Sequence, residues 1–228
     1  MKINQLTLFT NKLDLEKEFY SEKLGFEIIH ENKNTFTIKV GWSKLTFKYS
    51  EFDHLYHYCF LIPRNKLSEA LDWMKNRVQI IEIEKVKKIQ WFEDWNVNSF
   101  YFYDASGNIA EFIVRHDLEY ESDSEFKVSD ILCLNEIGLP VSNIGELNRA
   151  LEQNLKTTFY KGDLKRFGTN GDAEGMFLMP NYKVKDIWFP TQNKIEPNPF
   201  EAIIENNGVL NYMEFTNGKV SFKELSKN

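Results

Sequence analysis

The sequence predicts an α+β fold in which repeated βαβββ modules form a curved half-barrel sheet around a cleft. Two observations carry this reading. An order of strand, helix and further strands occupies residues 3–49, recurs over 57–114 and begins a third time at 132, and such repetition predicts modules that pair around a shared concave surface. Within the second copy, aromatic residues alternate with smaller ones from Asn98 to Asp104, a turn follows at Ala105-Ser-Gly-Asn108, and an apolar run resumes to Val114. That is a hairpin in a half-buried sheet.

In chain order, residues 3–9 read as a strand. Residues 13–24 read as a helix with Leu13, Leu15, Phe19, Tyr20 and Leu24 on one side, stopped by Gly25. Strands at 26–31, 35–40 and 44–49 follow, divided by Asn32-Lys-Asn34 and Gly41-Trp-Ser43. The second copy is a strand over 57–62, a helix over 67–77 packing Leu67, Ala70, Leu71 and Met74, a strand over 78–84, a polar aromatic loop over 91–96, and the hairpin. Residues 1–116 are thus expected to be two paired modules, and the Glu-, Asp- and Ser-rich 117–129 a linker. The third module runs over 130–216: a strand at 132–141, a helix at 144–155 and strands at 157–160, 164–167 and 175–179. A loop over 180–199 follows, then a closing hairpin that turns at Asn206-Asn-Gly208. Residues 217–228 read as a tail.

Composition excludes several classes. A chain of 228 residues with net charge −6 and no long block of like charge is not a nucleic-acid binder, and Lys85-Val-Lys-Lys88 reads as a solvated strand end. No run is long enough to span a bilayer, and the first ten residues lack the apolar core of a signal peptide. Cys59 and Cys133 lie in apolar runs as small buried hydrophobes, so the expected compartment is a reducing cytoplasm.

Glu111 is the conspicuous residue, since a carboxylate on an apolar strand is costly unless a metal, a cation or solvent meets it. His57 opens the second copy. Trp91 and Trp95 in the loop Gln90-Trp-Phe-Glu-Asp-Trp-Asn96 either lid a flat or apolar ligand or cover a sheet edge.

Three motifs give a resemblance: Phe19-Tyr20 with Leu24-Gly-Phe26, His57-Tyr-Cys-Phe60, and Tyr103-Asp-Ala-Ser-Gly-Asn108 through Glu111. The sequence resembles the vicinal-oxygen-chelate superfamily, which includes glyoxalase I, extradiol dioxygenases and bleomycin- and fosfomycin-resistance proteins. The resemblance implies a cleft whose strand positions here are Gln5, Thr46, His57 and Glu111. Gln5, His57 and Glu111 would hold a divalent metal such as Fe, Mn, Ni or Zn, whose chemistry is Lewis-acid stabilisation of an enolate or activation of dioxygen. Thr46 departs from the glutamate of a four-ligand glyoxalase site and joins Trp91, Trp95 and Tyr103 as a ligand-contacting position. Glu136 and Glu214 echo the ligand positions in the second half, but without a nearby histidine that half is expected to be non-catalytic.

The implied function is a glyoxalase- or dioxygenase-like protein acting on a small oxygenated metabolite. The alternative is a metal-free protein that sequesters a small molecule, as resistance members do. An odd number of complete modules predicts either a homodimer or a degenerate fourth unit made by the last hairpin.

Overall fold

The computed structural model describes residues 1–225. The first module comprises β1 (Lys2–Thr10), α1 (Leu13–Glu18), β2 (Ile28–Asn32), β3 (Thr35–Val40) and β4 (Ser43–Tyr49). The second comprises β5 (His57–Leu61), α2 (Leu67–Lys75), β6 (Gln90–Phe92), β7 (Val97–Tyr103) and β8 (Ile109–Arg115). The third comprises β9 (Cys133–Gly138), α3 (Ile144–Leu155), β10 (Phe159–Gly162), β11 (Phe167–Asp172) and β12 (Gly175–Pro180). Three further strands close the described chain: β13 (Phe200–Asn206), β14 (Val209–Thr216) and β15 (Lys219–Leu225).

Local chemistry accounts for most of these elements. α3 starts at Asn143, whose side chain accepts a hydrogen bond from the Glu146 amide, and buries Ile144, Leu147, Leu151 and Leu155 at helical spacing. α1 is shorter than its sequence pattern. At Phe19–Lys23 it widens into a π turn that buries Phe19 and Tyr20, and Gly25 then takes the left-handed conformation (φ 78°) that ends it. Leu15, expected on the apolar side, is exposed, whereas Glu16 is fully buried. Glu16 Oε1 accepts from the Ser106 amide at 2.7 Å, which holds the helix against the turn between β7 and β8.

Three strand expectations are corrected. The strand expected at 164–167 lies instead at Phe167–Asp172, after a bend over 164–166. Residues 78–84 form no strand of their own; only single bridges, Ile80 to Phe102 and Ile83 to Lys87, tie them down. Residues 217–228 are not simply a tail, because 219–225 form β15 after a turn at Asn217-Gly218 in which both residues have positive φ.

The strands form two sheets, ordered β15-β14-β13-β1-β4-β3-β2 and β10-β11-β12-β9-β5-β8-β7-β6. The expected pairing of the first two modules into one concave sheet is therefore not what the strands do. Module two joins module three through the antiparallel β5 and β9, and module one joins β13–β15 through β1 and β13. The last three strands thus stand where a fourth module would, without its helix.

Alternation then sorts the side chains. Leu6, Leu8, Leu45 and Phe47 of the first sheet share one core with Tyr58, Phe60, Ala110 and Phe112 of the second, so the sheets pack back to back. His57, Glu111 and their neighbours project from the opposite face of the second sheet, into its half-barrel.

Candidate functional site

One row of cross-strand neighbours runs through the half-barrel. Tyr101 pairs with Glu111, Glu111 with Cys59, Cys59 with Glu136, and Glu136 with Met176, on β7, β8, β5, β9 and β12 in turn. Paired residues point to the same side of a sheet, so the register places two carboxylates and a thiol side by side. All three are buried, with one ligand atom of each within 4.8 Å of the others.

The row is held by partners one step along each strand. His57 lies two residues before Cys59 on the same face, and its Nε2 is 3.0 Å from Glu111 Oε2. Its Nδ1 is buried without a partner. Arg115, four residues after Glu111, is buried; its Nη2 donates to Glu136 Oε1 and its Nε to Asn135 Oδ1 at 2.8 Å. Burial pushes the Glu136 carboxyl up to about 7, with Arg115 pulling it down and Glu111 adding to the rise. Burial likewise raises the Cys59 thiol, reinforced by Glu111 and Glu136, which keeps it a neutral thiol. The Tyr101 hydroxyl is raised by burial and then by Glu111.

Above this polar floor is a cavity of about 280 Å³. Its walls are aromatic: Phe92, Trp95, Tyr101, Phe167, Trp188 and Phe189. Trp188 stands edge-on to the His57 ring, with centroids 4.9 Å apart. Gly138 makes this possible, since a Cβ there would come within 2.8 Å of the indole. Arg166 and Lys185 are the remaining charged lining residues.

The first sheet carries the equivalent row in another chemistry. Thr37, Thr46, Thr7, Glu201 and Glu214 pair in succession across β3, β4, β1, β13 and β14. Gln5 stands two residues before Thr7 as His57 stands before Cys59, so by register Gln5 is the counterpart of His57 and Thr46 that of Glu111. The correspondence joins two different sheets, however. Gln5 Nε2 lies 3.5 Å from Thr46 Oγ1, and Thr46 Oγ1 is 2.9 Å from Thr37 Oγ1. Gln5 cannot share an ion with His57 and Glu111, because its strand belongs to the other sheet, and Thr46 does not line their cavity.

Of the other expected residues, Trp95 lines the cavity, while Trp91 is exposed beside His116 and Tyr103 is exposed at a separate groove with Lys75 and Val78. Of the two acids singled out in the second half, Glu136 joins the cluster, whereas Glu214 is exposed on the first sheet. Arg115, Arg166 and Lys185 were missed. Arg115 alone left a signal, sharing with Glu111 and Ile113 one face of an apolar strand.

No family model matches the chain, and no curated protein matches it by sequence. Among solved structures, a protein from Bacillus subtilis described as a candidate dioxygenase aligns over 79% of this chain and 64% of its own, with 15% identity and a TM-score of 0.54. Lactoylglutathione lyase from Agrobacterium tumefaciens aligns over 52% of this chain and 97% of its own, at 16% identity and a TM-score of 0.43. A glyoxalase/bleomycin resistance protein/dioxygenase from Nocardioides gives 55%, 87%, 14% and 0.41 for the same quantities.

Proposed function

From a chain with the glyoxalase/bleomycin resistance/dioxygenase fold, we propose an enzyme that acts on a small oxygenated molecule in the half-barrel of β5–β12, with a divalent metal held by His57 and Glu111 and with Glu136 beside them. The observation that carries this reading is the buried convergence of His57 and Glu111 at 3.0 Å on the floor of an aromatic cavity. An imidazole nitrogen and a carboxylate oxygen, each about 2.1 Å from a shared ion, stand roughly this far apart. One imidazole and one carboxylate, with the remaining positions open to ligand oxygens, suit Mn, Fe, Ni or Zn. When bound, such an ion polarises the ligand's oxygens and stabilises negative charge that develops on them.

The chain's own residues do the rest. Trp188 packs on His57 and fixes its ring plane, the aromatic walls exclude water from the floor, and Arg115 holds Glu136 in place while offsetting its charge.

A specific observation supports a second reading, metal-free binding. Arg115 already pairs with Glu136, and His57 already meets Glu111 at hydrogen-bond distance, so each acid has a protein partner without an ion. Elemental analysis of protein purified without a histidine tag separates the two. The enzyme reading expects about one equivalent of a divalent metal, lost in His57→Ala and in Glu111→Ala. Absence of metal in the parent protein removes that reading and leaves the binder.

A further inference from the structure

Resting on the reading of this cavity as a ligand site, we infer that its mouth is an anion subsite in which Arg166 and Lys185 select a flat, carboxylate-bearing molecule. Beside Tyr101, six ionisable groups line the cavity, and they divide into an inner set and an outer set. The inner set is self-contained: His57 meets Glu111, and Arg115 meets Glu136. The outer set is Arg166 and Lys185, and among the described residues neither forms an ion pair with an acid. The nearest acids in sequence are otherwise placed. The Asp163 carboxylate accepts from the backbone amides of Lys165 and Arg166, at 2.7 Å each, and Asp186 is exposed.

The backbone brings the two cations together. The Asn181 amide donates to the Arg166 carbonyl at 3.0 Å, and the Lys185 amide donates to the Asn181 carbonyl at 2.8 Å. One residue therefore joins the strand start that carries Arg166 to the turn that carries Lys185. Lys185 is half-buried, and its Nζ donates to the Ile187 carbonyl, which holds the ammonium at the cavity wall rather than in solvent. Burial, and then the proximity of Arg166, lower its pKa, with Asp186 offsetting part of the fall.

A chain with net charge −6 that keeps two cations outside any ion pair at one mouth, with Asp163 and Asp186 only in their neighbourhood, concentrates positive potential there. A guanidinium offers a carboxylate two parallel donors, and the ammonium adds a point charge. Between this mouth and the polar floor the walls are rings, which favour a flat body. The ligand that satisfies all three regions is a planar, apolar molecule with a carboxylate at the mouth end and an oxygen function at the His57 end.

The test uses the full chain and two neutral-versus-anionic isosteres, 2-naphthoate and 2-naphthamide, titrated calorimetrically. The parent protein is expected to bind the naphthoate at least about tenfold more tightly than the amide, a preference that shrinks with added salt. The double variant Arg166→Gln/Lys185→Gln, which alters only outer side chains, should bind both probes within about twofold of each other, with the metal content of the parent protein unchanged. Equal affinities in the parent, a preference that survives in the double variant, or binding of neither probe would each overturn the inference. Absence of metal is read separately and bears on the catalytic proposal alone, since the naphthoate comparison does not depend on it.

Discussion

Glu111 Oε2 lies 3.0 Å from Nε2 of His57, a residue 54 positions earlier, and both side chains are buried on the face of β5 and β8 that lines the cavity. The first cross-strand row of the molecule has threonines where this one has Glu111 and Cys59. Two halves of similar architecture therefore differ in whether this pair of positions carries a buried carboxylate and thiol or two threonines.

Removing the guanidinium tests how that charge is balanced. Arg115→Met leaves Glu136 and Glu111 buried beside each other without a cation and is expected to cost about 3–5 kcal/mol. At roughly 2–4 °C per kcal/mol for a chain of this size, the melting temperature should fall by ten degrees or so. Arg115→Met/Glu136→Gln should recover a large part of the loss. Urea unfolding of the two variants reads the coupling directly, and simple additivity would argue that the pair is not the organising contact.

The buried acids at the other end of β8 give a pH dependence. Burial raises the Glu16 carboxyl well above its ordinary value, with Asp104 adding to the rise, and burial raises Asp104 as well. Acids whose folded pKa is raised favour the protonated form in the fold, so their contribution is fully present below the unfolded carboxylate range and is lost as pH rises through the folded values. Glu16 Oε2 has no partner of its own, so Glu16→Gln removes a titrating group without losing the acceptor for the Ser106 amide. Stability measured from pH 5 to pH 9 should decline in the parent protein, and decline less in Glu16→Gln.

Gly138 supports the placement of Trp188. Gly138→Ala puts a methyl within 2.8 Å of the indole and should cost about 1–3 kcal/mol while shifting Trp188 from His57. Near-ultraviolet circular dichroism should change in the tryptophan region. An unchanged spectrum would mean that the indole is not pinned as described.

Gln5 provides the discriminating control. Because its strand lies in the other sheet, Gln5→Ala should leave metal content and ligand affinity within about twofold of the parent protein, where His57→Ala abolishes metal retention. Loss of metal in Gln5→Ala would restore the grouping that the motifs alone imply.

Much of the fold was legible because periodicity reports which face a residue takes. The helix at Ile144–Leu155 and the strand at Thr35–Val40 match their sequence patterns end to end. Periodicity does not report which strand becomes a neighbour. By register Gln5 is the counterpart of His57, yet β5 lies between β8 and β9 and not beside β1, and that choice depends on long-range packing. β15 escaped notice because Lys219-Val-Ser-Phe-Lys-Glu-Leu225 alternates weakly and remains half exposed at the sheet edge. Residues 78–84 erred in the other direction: apolar enough for a strand, they bury Ile80 and Ile83 from an irregular segment. Arg166 and Lys185 were invisible as site residues because a lone cation in sequence is most often solvated, and Arg115, although it shares a strand face with Glu111, is shown to be enclosed only by the register.

The most direct measurement is an anomalous difference map from crystals grown with Mn²⁺. The account predicts a single strong peak on the floor of the β5–β12 cavity, within about 2.0–2.4 Å of a His57 nitrogen and a Glu111 oxygen. A map with no peak there and the Arg115–Glu136 pair intact, or one whose peak lies at Gln5, Thr46 and Glu201, would contradict it.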